Sequence, residues 1–576
     1  MSAEMSRHAK EELMKSRWAL FASAATTALL VGMAGQALAA EWTAVTDERL
    51  QSAEKNADDW LIYGRTYSSL RYSPLKEINT ENVSKLKPKF QIALGSIEGQ
   101  ELTPVVNNGI MIVAVSQERI DAIDVKTGER LWRHEIKVPA DATQFTCCGK
   151  ITRGASLYGD KVYFATLDSR LLAIDAKDGK LVWEKTLADY KAGYTLTMAP
   201  TIVKGKVMVG FSGGEFGIVG QILALDSETG NEVWKHRTIP QPGEPGYDTW
   251  GKDSAKYGGG AAWLTASYDA ETNLTFWGTG NPAPWNADMR PGDNLYSNSL
   301  IALDADTGKQ KWYFQHVPND AWDWDSMNEA LLIDTKIKGK DTKAVIQAHK
   351  NGYLYTFDRA TGKCLQTVAF SPLDWGKLDE NCKMIVKPDK RPGVDKKATF
   401  CPSYFGGKGW AHMTYNPENS MVFIPTTDMC VTLHHEETTY KKGTMYLGAG
   451  GEIPEPGKGM LTAVDVSNNK VAWAWNNPSP LQSGSAMATG GGLAFVGTFE
   501  GDLVALDQKD GKELWKHRNP SGIVGGVISF NAGGKQHIAV VSGYGGAFPL
   551  WAGTGVPPHI KNNVNPGATL TVYALD

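Results

Sequence analysis

Short apolar runs recur along the chain: "MIVAV", "VYFAT", "VMVGF", "LTFWG", "AVIQA", "MVFIP", "LAFVG" and "IAVVS". Each reads as a short strand. Most are followed by a second phrase, in which apolar and polar residues alternate around an Asp/Gly turn. It reads "DAIDVKTGERLW" to Trp132, "LAIDAKDGKLVW" to Trp183 and "LALDSETGNEVW" to Trp234. It returns as "IALDADTGKQKW" to Trp312, "TAVDVSNNKVAW" to Trp473 and "VALDQKDGKELW" to Trp515. In all six the aspartate precedes the tryptophan by eight residues. A seventh copy, "YTFDRATGKCLQ", keeps the turn without the tryptophan, and an eighth, "VYALD", stops at Asp576.

Repetition of this kind marks a solenoid or a ring. Eight sets of strands predict an all-β fold, an eight-bladed β-propeller with four-stranded antiparallel blades, which leaves no long sheet edge exposed. The truncated eighth phrase then requires a partner strand from the N-terminal segment. The tryptophan packs either between blades or within one. Successive phrase aspartates lie 51, 51, 78, 54, 107 and 42 residues apart. The longest interval predicts an excursion at about 367–418, rich in Lys, Pro and Cys, from an otherwise single domain over 41–576.

Composition agrees: 61 glycines and 19 tryptophans in 576 residues suit many tight turns and short strands. A net charge of −4 gives no basic footprint for nucleic acid. Residues 1–40 read as a cleaved signal peptide, with Met14 as an alternative start. A basic start, an apolar run and an Ala-x-Ala ending at Ala39 carry that reading, which implies export to the periplasm and no membrane span in the mature chain. Export permits disulfides among the six cysteines. No Cys-x-x-Cys-His occurs, so covalent haem is excluded.

Polar residues follow several apolar runs: Glu215 after "VMVGF", Asn281 after "LTFWG" and Lys350 after "AVIQA". A ring brings such equivalent strand ends to one mouth. Asp323 and Asp325, in "NDAWDWDSMNE", alternate and so face one side about 7 Å apart if extended. Glu215, Asn281, Asp323 and Asp325 are hard oxygen donors that suit a large hard cation. Their three carboxylates carry more charge than a divalent ion requires and match a trivalent one. Adjacent Cys147 and Cys148 either stay thiols, with other partners or none, or close a strained vicinal disulfide, which would give a planar ligand a flat rigid wall with Trp263 facing it.

These blocks, with "TMAP", "GGE", "GNPAPWN" and "WDxD" in order, resemble the quinoprotein alcohol dehydrogenases that use pyrroloquinoline quinone (PQQ). The resemblance implies that Glu101, Arg153, Thr197, Ser212, Gly213, Gly214 and Lys350 hold PQQ between Cys147–Cys148 and Trp263. It implies Glu215, Asn281 and Asp323 as metal ligands, Asp323 as base, Trp285 as a substrate wall and a Cys401–Cys430 disulfide; Cys364 and Cys382 stay unassigned. Lys350 stands where methanol-type members carry Arg, Gly409 where relatives often carry Asn, and Ala547–Phe548 where methanol-type members place Trp. Asp325 resembles the lanthanide-dependent branch (La, Ce, Pr or Nd). The expected reaction is oxidation of primary alcohols, ethanol-like or broader, with a soluble cytochrome c as acceptor and a homodimer as the family's assembly. A calcium enzyme and a non-catalytic propeller scaffold are the rival readings.

Overall fold

The repeated phrase folds as two antiparallel strands joined at its turn. In the first copy Arg119–Asp124 pairs with Arg130–Glu135. The preceding apolar run supplies Ile110–Val115, and Val105–Asn107 completes the sheet. The computed structural model describes residues 41–477, 479–480, 484–552 and 556–576, and the expected signal peptide lies outside them. Among the described residues, four-stranded antiparallel sheets recur at 105–135, 156–186, 201–237, 267–315, 331–369, 414–477 and 487–518. The sheet at 487–518 gains a short parallel strand, Tyr72–Ser73. An eighth sheet joins Val527–Ala532, Lys535–Ser542 and Thr569–Ala574 to Lys87–Ala93. Phe90 lies opposite Val572, so the N-terminal segment supplies the strand that the truncated phrase lacks.

In the first sheet the second and third strands are buried throughout, whereas the fourth is exposed but for Trp132, buried between exposed neighbours, and half-buried His134. The apolar core lies between faces of successive sheets. Leu331, Ile333 and Ile346 meet Tyr415, Val422 and Ile424, for example.

The phrase tryptophans join each sheet to the next. The Trp132 indole N–H donates to Ala176 O at 2.8 Å, and Trp183, Trp234, Trp312 and Trp473 donate to Ser227, Ala305, Arg359 and Gln508. Each acceptor is the residue after the next phrase's aspartate. The ring also covers that turn's glycine. A Cβ on Gly179, which has φ +74°, would lie 2.6 Å from the Trp132 ring. The tryptophan-free copy explains itself in the same terms. Gln366 occupies the equivalent position and its amide donates to Val466 O at 2.8 Å. With no indole to cover it, that turn carries Asn469 at φ +51° in place of glycine.

The extra residues near the sixth sheet divide into two departures. Residues 370–413 carry a hairpin, Gly376–Leu378 with Met384–Val386, and the strand Ala398–Phe400. A second departure, 429–457, carries Val431–His435 and Ala449–Glu452, which form a three-stranded sheet with Ala398–Phe400. Cys401–Cys430 links the departures, and Cys364 pairs with Cys382 in the turn of the hairpin.

His435, 1% exposed on the second departure, has its pKa pushed down to about 4 by burial. Unfolded, it takes up a proton near pH 6.5; folded, it stays neutral until about pH 4. Its contribution to stability is therefore full above pH 6.5 and is lost as pH falls through that window. The destabilisation caused by His435→Gln should shrink by about 2 kcal/mol between pH 7 and pH 5. Urea unfolding of both proteins at both pH values tests this, and a pH-independent difference refutes it.

Candidate active site

The acid-bearing loop is built by alternation. Trp322 and Trp324 turn inward and stack, with ring centroids 5.1 Å apart, and their indoles donate to Lys390 O and Ser403 O. Asp320 accepts from the Trp322 and Trp324 backbone N–H groups at 2.9 and 3.1 Å. Asp323 and Asp325 are thereby left on the opposite side, in a cavity of about 150 Å³. Asp323 sits at φ +61°, a left-handed conformation that Asp tolerates better than most residues.

Lys350 arrives from the loop after Lys340–Ala348. Its Nζ donates to Asp325 Oδ2 at 2.7 Å, to Asp323 Oδ2 at 3.1 Å and to Asp323 O at 2.7 Å. The Asn281 backbone N–H donates to Asp325 Oδ1 at 2.7 Å. Turned to satisfy its neighbours, the Asn281 amide also donates to Asp325 Oδ1 and accepts from Trp285 Nε1 at 3.0 Å. Glu215, in the turn Gly214–Phe216, lines the same cavity. Three carboxylates thus face one ammonium. Burial, reinforced by the Asp325 carboxylate, pushes Glu215 up to about 7. Burial raises Asp323 well above the carboxylate range, against the pull of Lys350 and with the push of Asp325 and Glu215. Burial alone would lower Lys350, but the two aspartates outweigh it and raise it.

A second polar wall lies across the cavity. Arg153 Nη2 is 2.8 Å from Glu101 Oε2, and Nη1 donates to Thr197 Oγ1 at 2.8 Å. Thr197 Oγ1 in turn shares a 2.8 Å hydrogen bond with Ser212 Oγ. Arg153 Nε is buried without a hydrogen-bond partner, which leaves a donor for an acidic ligand. Burial raises Glu101, opposed by Arg153. The Cys147–Cys148 disulfide closes across adjacent Cα atoms 3.8 Å apart and lines the cavity, as do Gly213, Trp263 and Trp285. Gly214 and Asn281 are not among the lining residues.

Four aromatic residues that the sequence did not single out complete the walls: Tyr404, Phe405, Trp410 and Trp551. Trp551 stacks near Trp285, centroids 6.0 Å apart, and donates to Cys147 O at 3.0 Å. Trp410 and Trp263 lie 5.0 and 4.6 Å from the Arg153 guanidinium carbon. Trp410 follows Gly409 directly, and an aromatic beside a site-facing glycine was the available signal.

The cavity has the parts a planar, acidic cofactor with a hard cation needs: a cationic edge, flat walls and a surplus of carboxylate. Residues 60–384 and 381–538 match the family described as PQQ: glucose/ethanol/alcohol dehydrogenase, beta-propeller domain. Quinoprotein alcohol dehydrogenase PedH of Pseudomonas putida KT2440 is 38% identical over 563 residues, covering 92% of this chain and 93% of that protein. Quinoprotein ethanol dehydrogenase of Pseudomonas aeruginosa PAO1 is 38% identical over 577 residues, covering 91% and 92%. A solved structure of a europium-containing methanol dehydrogenase superposes with a TM-score of 0.88 at 33% identity, covering 92% of this chain and all of that one. Similarity that runs the length of these enzymes, over sheets of one kind and a cavity of matching chemistry, settles the assignment: the chain belongs to the PQQ-dependent quinoprotein alcohol dehydrogenase family.

Proposed function

We propose that the protein oxidises primary alcohols, ethanol-like or broader, to aldehydes in the periplasm, with PQQ and a lanthanide ion, and passes electrons to a soluble cytochrome c. The eight sheets are read as the blades of one ring, with the cavity at its hub. The observation that carries the metal reading is Asp325, which lines the cavity with Asp323 and Glu215 while its Oδ1 accepts from the Asn281 N–H and its Oδ2 from Lys350 Nζ. Together these three side chains balance a trivalent ion. Glu215, Asn281, Asp323 and Asp325 would hold it; Arg153, Glu101, Thr197, Ser212, Gly213, Gly214 and Lys350 would hold PQQ between the disulfide and Trp263.

Bound here, PQQ would supply the hydride acceptor for the carbinol carbon and the metal would supply Lewis acidity. The chain's own residues position and deprotonate. Asp323 takes the alcohol proton on its carboxylate. Lys350, donating to both aspartates, orients their oxygens and keeps a proton donor at the reacting edge. Trp285, Tyr404 and Trp551 exclude water from the alcohol side.

One observation favours the calcium alternative. Lys350 neutralises one of the three carboxylates where it stands, and the remaining charge suits a divalent ion. Reconstitution decides between them. Metal-stripped protein given PQQ and La³⁺ should oxidise ethanol, with an artificial acceptor, at least about tenfold faster than with Ca²⁺. Full activity with Ca²⁺ and none with La³⁺ would overturn the lanthanide reading.

A further inference from the structure

Outside the acid cluster and the Arg153 wall, one buried ion pair has no part in the chemistry described. Lys408 is fully buried, and its Nζ lies 3.0 Å from Glu329 Oε2, itself 1% exposed as a side chain. Glu329 Oε1 accepts from the Met413 backbone N–H at 2.5 Å. One carboxylate therefore holds both ends of the segment 408–413. Lys408 Nζ also donates to Gly409 O at 3.2 Å, fixing the peptide that precedes Trp410. Trp410 then projects into the cavity, 5.0 Å from the Arg153 guanidinium carbon, with Trp263 also within reach at 4.6 Å. At the other end of the link, Glu329 follows Asp325 by four residues, so the acid-bearing segment and the aromatic wall share an anchor.

Burying two charges carries a desolvation cost that a well-packed apolar pair avoids. Packing alone does not explain this pair; what it adds is direction, since its hydrogen bonds fix the backbone on either side of Trp410. We infer that Glu329 and Lys408 are positioning residues for the cofactor, acting through Trp410 to hold Arg153 at the polar edge of the cavity. The inference rests on the PQQ reading above.

The test is PQQ binding to metal-loaded protein, followed by tryptophan quenching and by the cofactor's absorbance. Glu329→Gln with Lys408→Met removes both charges while keeping the length of each side chain and an acceptor for Met413 N–H. The PQQ dissociation constant should rise about tenfold or more, as for loss of an outer-sphere partner. The thermal midpoint should stay within a few degrees, and kcat at saturating PQQ within about threefold. Trp410→Leu leaves the ion pair intact and should give the same rise, so it decides the matter if the double variant does not fold. An unchanged dissociation constant in either folded variant, with or without a lower thermal midpoint, makes the pair purely structural and overturns the inference. If the unmodified protein takes up no PQQ, the functional reading falls first and this inference with it.

Discussion

An Asp323→Asn variant folds normally and loses alcohol oxidation by about 10²- to 10⁴-fold, the range for removing a general base. Asn is close in shape to Asp and shares its tolerance for the left-handed backbone found here at φ +61°. It still presents an oxygen to Lys350 Nζ, which donates to this side chain at 3.1 Å. Basicity is lost, so the alcohol proton has no acceptor at that point of the cavity. Loss of a ligand charge is a competing cause, and bound metal measured by mass spectrometry separates the two. Metal content near that of the unmodified protein, with kcat collapsed, assigns the loss to proton transfer. A variant with kcat within about threefold of the original removes Asp323 from that role.

What was legible in the chain was whatever a local period writes down. The Asp-to-Trp spacing of eight reflects a turn and a returning strand, and the indole reaches the next turn because each sheet repeats the same geometry. Even the lost tryptophan is consistent, with Gln366 making the hydrogen bond in its place. The strand-end residues Glu215, Asn281 and Lys350 were readable for the same reason: repeats place equivalent ends together.

Residues brought in by the irregular segments were not readable. The interval of 107 residues reports only a total length, so it cannot show that the extra chain leaves the sheet twice. Cys364 and Cys382 meet because a hairpin folds back on the strand Cys364–Ala369, which spacing does not encode. Trp410 and Trp551 reach the cavity from segments without a repeat to fix their direction. Lys350 was legible as a cavity residue, yet its bonds to both aspartates depend on side-chain reach across a loop.

That reach gives Asp325→Ser its expected result, a loss of lanthanide-supported activity of more than about 100-fold, beyond the 10- to 100-fold that an outer-sphere partner costs. Serine is too short to span between the Asn281 N–H and Lys350 Nζ, both 2.7 Å from the present carboxylate. The site then holds the Glu215 and Asp323 carboxylates alone, and Lys350 keeps only its contacts to Asp323. Coulomb attraction scales with the charge of the ion, so losing one carboxylate costs La³⁺ more than Ca²⁺, and the variant should retain a weak calcium-supported rate while its La³⁺ affinity collapses. Each tenfold loss of affinity corresponds to about 1.4 kcal/mol, and titration with La³⁺ reads it directly. The pattern differs from the one that assigns Asp323→Asn to proton transfer, bound metal with failed turnover. If Asp325→Ser keeps full activity with La³⁺, the second aspartate is no ligand, and the charge match between three acids and a trivalent ion loses its basis.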